Sequence, residues 1–354
     1  MTNGDLDNAA LWLGSAGGEL RVGPAPERIA GRGEVVVRAR AVAMNPIDAM
    51  GGIARRVVLP WLTYPAVLGS DVAGEITAVG PGVTGLQVGD RVVGYAVGVE
   101  RSRNSAAEGA FQTHVVLLAH MCSPLPDSVT FAEAAVLPLA LTTAAAGLFE
   151  SDQLALELPR ADAPQRDETV LVFGGATTVG MNAVQLAHAA GYPVVATSSP
   201  RNAALVRSLG ASAVLDYQAG DLVEQLIREL DGHPLAGTLA VASGTLKNAI
   251  AVSGSRSVTG TRRVASAHPT PITTARAALA RRRGVHVSAI WGGSPKDTAV
   301  GPAVWRDFLP SALAEGRYRA APAPMVTGQG LEAIPEALAR LREGVSASKV
   351  VVTL

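Results

Sequence analysis

Two hydrophobic rhythms divide the chain. Over its first third, short apolar runs alternate with polar positions. Residues 34–42 (EVVVRARAV) set β-branched side chains against alternating charges, the pattern of a strand with one buried face. Residues 72–79, 91–95 and 111–118 repeat it, with Gly80, Pro81, Gly82, Gly89 and Asp90 supplying turn chemistry between them. These runs predict an antiparallel, barrel-like domain. A polar, proline-bearing stretch at 151–168 (SDQLALELPRADAPQRDE) then predicts a surface loop at a domain boundary. Beyond it the rhythm changes. Residues 169–173 (TVLVF) are continuously apolar, as in a strand buried on both faces. Strand-like runs at 193–197, 213–215, 239–242, 257–264 and 285–290 follow, with helical periodicity at 181–190, 202–209, 221–230 and 274–283. Strand and helix alternating at that spacing predict a parallel, doubly wound sheet. The closing residues 349–354 (KVVVTL) read as a strand that rejoins the first domain.

Composition narrows the possible partners. A chain of 354 residues suits two domains, and 48% hydrophobic against 17% charged residues favours burial over disorder. Thirty Lys and Arg balance thirty Asp and Glu, so neither nucleic acid nor an anionic membrane is indicated as a partner. The polar, acidic start at residues 1–10 is unlike a signal peptide, and no apolar run is read as approaching the roughly 20 residues that span a bilayer. A cytoplasmic location is expected. The single cysteine, Cys122, can form no internal disulfide.

The informative segment is 170–180 (VLVFGGATTVG), an apolar strand entering a glycine turn and then a helix. A dinucleotide needs such a turn, because its pyrophosphate is favoured at backbone N–H groups of a helix N-terminus. Gly174 and Gly175 allow close approach, Gly180 allows the helix to pack on the strand, and the hydroxyls of Thr177 and Thr178 could add phosphate hydrogen bonds beside Val179. The same pattern also serves an ordinary strand–turn–helix. The end of the next strand selects the cofactor. NAD sites place Asp or Glu there, whereas this chain has Thr197-Ser198-Ser199-Pro200-Arg201-Asn202, with no acid. Ser198, Ser199 and Arg201 suit a 2′-phosphate, which a carboxylate would repel, and NADPH is therefore the expected cofactor.

With these residues in place, the chain resembles the medium-chain dehydrogenase/reductase superfamily over essentially its whole length. Within it, the match is to the zinc-independent quinone and enoyl reductases. The motifs are Asn45-Pro-Ile-Asp48, Leu68-Gly-Ser-Asp-Val-Ala-Gly74, Val88-Gly-Asp-Arg-Val92, Leu141-Thr-Thr-Ala-Ala-Ala-Gly147, the glycine loop, and Ser348-Lys-Val-Val351. The paired threonines, residues 196–202 and the insertion at 151–168 are similar to free-standing, trans-acting polyketide enoyl reductases. The resemblance implies an α/β protein: a GroES-like β-barrel domain (1–145 and 317–354) around a Rossmann domain (146–316), with the active site in the cleft between. It places Asn45 and Thr143 near nicotinamide and substrate, and Tyr217 at the adenosine phosphate. Ser243 and Gly244 would line the cofactor, Ile290, Trp291 and Gly292 its carboxamide side, and Lys349 would reach the cofactor phosphates or the cleft mouth. Relatives occur as monomers or as homodimers paired through the sixth Rossmann strand, here 285–290, and both states stay open.

Zinc-dependent relatives carry Gly-His-Glu where this chain has Gly69-Ser70-Asp71, and one cysteine with scattered histidines (114, 120, 188, 233, 268, 286) supplies no ligand set. No metal is expected. Without a Lewis acid, reduction of an activated C=C is easier than alcohol oxidation, since hydride goes to the β-carbon and donors need only stabilise an enolate. The expected activity is NADPH-dependent reduction of an enone, quinone or enoyl thioester in secondary metabolism, on a small-molecule or acyl-carrier-linked substrate. A ketoreductase or reductive cyclase on the same scaffold, or a non-catalytic NADPH-binding protein, are the alternatives. The proton donor is open, for Met50 stands where polyketide relatives carry lysine. Tyr64 either lines the cleft or packs in the barrel, and Arg55 and Arg56 either receive an anionic substrate or face water.

Overall fold

The computed structural model describes residues 8–267 and 271–354, with side chains at 271–274 left aside. His268 therefore lies outside the described residues. The chain forms two compact units, residues 1–139 with 305–354, and residues 140–304. These divisions lie ahead of the bounds at 145 and 316 that the resemblance implies.

The first unit is built on the strand Glu34–Ala43. One of its edges pairs with Asp71–Val79 along nearly its full length. The other edge is shared: Glu34 to Arg38 face the strand His114–Leu118, and Ala41 to Ala43 face Ser348–Thr353. Burial along Glu34–Ala43 alternates only in its middle, from Val37 to Ala41; Val35 to Val37 and Ala41 to Ala43 are buried throughout, as where both faces are covered. The seven-stranded sheet is completed by Ala323–Gln329, Arg91–Tyr95 and Cys122–Pro124. A smaller antiparallel sheet joins Leu20–Pro24, Ala9–Leu13 and Ala66–Val67. Val35, Val37, Val72, Val92, Val115 and Val350 share one core. The expected antiparallel barrel is present, with one parallel pair, Ala323–Gln329 against Ser348–Thr353. The closing strand does rejoin this unit.

The second unit is a six-stranded, all-parallel sheet. Its order is Ala213–Asp216, Val194–Ser198, Thr169–Phe173, Leu235–Ala240, Arg263–Ser266 and His286–Ala289. The chain winds outward from Thr169–Phe173 in one direction, then restarts at Leu235–Ala240 and winds in the other. The crevice at such a reversal is where doubly wound sheets bind ligands. All five residues of Thr169–Phe173 are buried, as its apolar run predicts. Residues 151–168 carry no helix or strand, in keeping with the expected loop.

One expectation needs correction. The helical stretch Phe131–Phe149 is long and apolar enough to cross a membrane by length and composition. Its most apolar window is 72% buried inside the protein, the pattern of a core helix. Almost uniformly apolar, Pro138–Phe149 shows no amphipathic period that would mark it as a helix in the sequence.

Candidate active site

The register of the parallel sheet sets Phe173 level with Thr197 on one side and Ala240 on the other. The chain leaves Phe173 through Gly174, whose φ of +92° lies in the left-handed region that favours glycine. Its amide donates to Thr197 Oγ1 (3.1 Å), and the Gly175 amide donates to the Thr197 carbonyl (2.8 Å), which ties the loop to the neighbouring strand. The helix Thr178–Ala189 begins at once. A Cβ on Gly180 would sit 2.1 Å from the Gly174 carbonyl oxygen, so only glycine lets the helix approach the loop this closely. Thr177 caps that helix. Its hydroxyl accepts from the Gly180 amide (3.0 Å) and donates to the Gly174 carbonyl (2.8 Å). This corrects the reading of that hydroxyl as a phosphate donor, because its proton is already given to a carbonyl. The Thr177 carbonyl takes the Met181 amide (2.8 Å), leaving Thr178 and Val179 as the first-turn amides that the helix itself does not satisfy. Backbone amides and the positive helix end there form an anion-binding corner.

On the neighbouring strand, Ser198 is buried and its hydroxyl donates to the Ser199 carbonyl (3.0 Å). Ser199 stands at the N-cap of the helix Pro200–Ser208 without making a side-chain cap, and Arg201 is exposed on the first turn. Tyr217 is about half exposed, and its amide donates to the Ser198 carbonyl (3.2 Å). The structure thus brings Ser198, Ser199, Arg201 and Tyr217 to one corner. It also brings Asp216, level with Ser198 in the sheet, whose carboxylate accepts the Gln218 amide (3.0 Å). Asp216 ends the third strand, not the second, so the stretch 197–202 holds no acid although one stands beside it in the sheet.

Beyond Leu235–Ala240, Ser243 and Gly244 form an exposed turn, with Gly244 at φ +81°. After His286–Ala289, Ile290 is buried with its amide on the Ser266 carbonyl (2.9 Å), Trp291 is 37% exposed and Gly292 is partly buried. Thr143 is partly buried within the helix Pro138–Phe149.

The first unit holds a buried polar cluster of its own. Pairing of Ser348–Thr353 and of Asp71–Val79 with the same end of Glu34–Ala43 brings Asn45, Asp71 and Lys349 together. Lys349 Nζ donates to Asn45 Oδ1 (2.5 Å) and pairs with Asp71 Oδ2 (3.0 Å), while Asn45 Nδ2 donates to that same oxygen (2.9 Å). Asp71 Oδ1 accepts the Leu139 amide (2.6 Å). Asp48 completes the group, accepting the amides of Asn45 (3.0 Å) and Gly69 (3.1 Å). Burial, and then the nearby Asp71 charge, push the Asp48 carboxyl up to about 7, against the two amides and Lys349, which favour its anion. Ser70 Oγ is buried beside them with no hydrogen-bond partner. The sequence reading named Asn45 and Lys349 but not Asp48 or Asp71 as their partners.

Tyr64 packs, partly buried, on the first unit's core, and Arg56 is exposed. Arg55 is corrected to a structural role. It is buried, its guanidinium donates to the Ala16 (2.5 Å) and Asp48 (3.1 Å) carbonyls, and burial lowers its pKa. The Cys122 thiol is also buried and pushed up by desolvation, which makes it inert. Among the described residues, no group of three or more His, Cys, Asp or Glu could hold a metal ion.

Comparison with known proteins decides the family. The alcohol dehydrogenase GroES-like domain matches residues 31–127, and the zinc-binding dehydrogenase domain matches residues 178–301. The chain belongs to the medium-chain dehydrogenase/reductase superfamily. Within this superfamily it falls in the enoyl and quinone reductase branch. It is 44% identical over 340 residues to the dehydrogenase azaJ of Aspergillus niger, covering 95% of each chain. It is 34% identical over 367 residues to the trans-enoyl reductase himH of Aspergillus japonicus, covering 99% of this chain and 98% of the other. A mycobacterial protein solved in complex with NADPH shares 27% identity at a TM-score of 0.68, with 98% and 100% of the two chains covered. As a medium-chain dehydrogenase/reductase the protein is an oxidoreductase that binds a nicotinamide cofactor. The Gly174–Gly180 corner fits that group: a Cβ at either glycine would close the loop against Ala242 or against the helix.

Proposed function

We propose that the protein is a metal-free, NADPH-dependent reductase of activated C=C bonds, acting on an enone, quinone or enoyl thioester in secondary metabolism. The observation that carries this reading is the corner formed by Ser198, Ser199 and Arg201. Bound NADPH would supply a hydride to the β-carbon of the substrate. The chain's task is then to hold the nucleotide, exclude water and stabilise the enolate oxygen before the α-carbon takes a proton. Gly174, Gly175, Thr178, Val179 and Gly180 hold the pyrophosphate, Arg201 and the Ser199 hydroxyl hold the 2′-phosphate, and Tyr217 flanks the adenosine. On the second unit Ser243, Ile290, Trp291 and Gly292 are the candidates for the nicotinamide half and Thr143 for the substrate; on the first unit Tyr64 is a candidate for the substrate, while Asn45 has its carboxamide engaged by Lys349 and Asp71. The likeness to a trans-enoyl reductase and to an NADPH-bound structure supports both substrate class and cofactor. A zinc site does not fit the residues present. Ser70 replaces the histidine ligand, and a hydroxyl is a poor zinc donor beside thiolate and imidazole.

Steady-state oxidation of NADPH and NADH with a panel of enones, quinones and enoyl thioesters tests the proposal. NADPH should be preferred in kcat/KM, and Arg201→Glu should reverse the preference by raising the KM for NADPH at least tenfold while leaving NADH nearly unchanged. Asp216 stands close enough to oppose a 2′-phosphate, so Asp216→Asn should strengthen the NADPH preference. Equal use of both cofactors by the wild type sinks the cofactor assignment. Turnover of saturated alcohols alone sinks the substrate class.

A further inference from the structure

The formal neutrality of the chain conceals a sharp division of charge. Between Gly232 and Lys296 there are nine Lys and Arg and no Asp or Glu, so this one segment carries a formal +9 that the rest of the chain cancels. All of it lies in the second unit. Several of these cations gather on the helices Leu246–Ser253 and Pro271–Arg281 and the turn after them. Between those helices lies a groove of about 310 Å³. Its floor is apolar: Ile250, Ala251, Leu279 and Ala280. Its rim is wholly basic, with Lys247, Arg276 and Arg283. None of the three pairs with a carboxylate among the described residues, and Leu279 is 60% exposed although it is a large aliphatic side chain.

Three cations without carboxylate partners around an exposed leucine make a surface of one sign with an apolar centre, complementary to an acidic partner that brings an apolar side chain. We propose that this groove docks an acidic amphipathic helix of a carrier protein, the partner that would deliver an acyl thioester. The identity of the carrier rests on the reductase reading above; the chemistry of the partner rests on the groove alone. An amphipathic helix that sets one apolar side chain between acidic ones matches an apolar floor inside a basic rim. Nucleic acid offers phosphates but no use for a floor of Ile250 and Leu279. A bilayer takes a broad band of apolar side chains, whereas this groove exposes one large one, Leu279. The surrounding positive field would steer an acidic partner to the groove and make the association rate fall with salt.

The test is direct binding, measured by fluorescence polarisation, of an acidic acyl carrier protein in its unloaded phosphopantetheinyl form. With no substrate present, the readout is independent of whether the reductase reading holds. The wild type should bind with an affinity that falls at least tenfold between 50 and 500 mM salt. The triple variant Lys247→Glu, Arg276→Glu, Arg283→Glu should lose at least tenfold at low salt. Leu279→Ser, which changes no charge, should lose at least threefold. All should keep the wild-type circular dichroism spectrum and wild-type NADPH oxidation with a small enone. Absence of carrier binding by the wild type overturns the proposal, as does full binding by the triple variant. So does equally tight binding of a DNA duplex or phosphatidylserine vesicles with no response to Leu279→Ser, which would mark a bare polyanion surface. Loss of enone turnover by the wild type, with carrier binding intact, would overturn the reductase reading and leave the docking groove standing.

Discussion

Replacing Lys349 by Met should be among the most damaging single changes in the first unit. The ammonium is nearly buried, with a side-chain exposure of 6%, and its partner Asp71 has none. Removing one member of such a pair leaves an uncompensated buried charge, which costs about 3–5 kcal/mol. Asp71 would keep two donors, the Asn45 carboxamide and the Leu139 amide, so the lower end of that range applies. Asn45 Oδ1 would lose its donor at the same time. In the double variant Lys349→Met, Asp71→Asn no charge is left stranded, and stability should recover by at least about 2 kcal/mol, a coupling ordinary for buried neighbours. Urea unfolding followed by tryptophan fluorescence at pH 7.5 measures both. Lys349 also favours the Asp48 anion, so its loss should carry the Asp48 midpoint above about 7. A cost below about 1 kcal/mol for the single variant, or a double variant no better than the sum of the singles, would refute the buried pair as the organiser of this cluster. The same protein separates two roles for Lys349: reach toward cofactor phosphate predicts a raised KM for NADPH with unchanged stability, whereas the pair seen here predicts the reverse.

Asp48 should leave a signature in the pH dependence of stability. Its folded midpoint, about 7, lies above the ordinary 3.8, so folding takes up a proton between those values. The favourable contribution is complete below the unfolded midpoint and is lost as pH rises through 7, at up to about 1.4 kcal/mol per pH unit. Asp48→Asn should remove that slope, and urea midpoints for both proteins at pH 5, 6, 7 and 8 should converge or cross as pH rises; parallel curves would contradict it. Gly180→Ala must push its Cβ off the Gly174 carbonyl, and isothermal titration should show NADPH affinity reduced at least tenfold. Thr177→Val removes the cap of the following helix and should cost about 1 kcal/mol in thermal unfolding, with NADPH affinity reduced only modestly because the hydroxyl is committed to the helix rather than to phosphate.

The second unit was legible in the sequence because each of its signals is local. Residues 169–173 are apolar on both faces, and Gly174 and Gly180 are spaced for one turn and one helix start, so the loop could be placed without knowing its neighbours. The first unit was legible only as strands. Ala9–Leu13, Leu20–Pro24 and Ala323–Gln329 went unread, being short or interrupted by glycine and proline. The polar cluster was hidden more deeply. Asn45, Asp71 and Lys349 are separated by 26 and then 278 positions, and nothing near any of them along the chain announces a partner. Only pairing at the same end of Glu34–Ala43, from its two opposite edges, brings them into contact.

That end of the strand also bears on the metal-free reading proposed above. In the Leu68–Gly74 segment, Ser70 replaces the histidine ligand, and its buried hydroxyl has no partner. The neighbouring carboxylate, Asp71, takes its countercharge from Lys349 in an ion pair, on a strand whose register fixes it. Asp48, the remaining buried acid, meets its desolvation by holding a proton near neutral pH instead. Two carboxyls, one ammonium and one proton therefore leave the cluster close to neutral, with no charge unbalanced enough to recruit a divalent ion. If that is how the site balances, Lys349→Met should not only destabilise the fold but raise the first unit's affinity for divalent cations, and zinc titration of the variant against the wild type would show it. An unchanged zinc affinity would mean that the ligand types, rather than the balance of charge, keep the metal out.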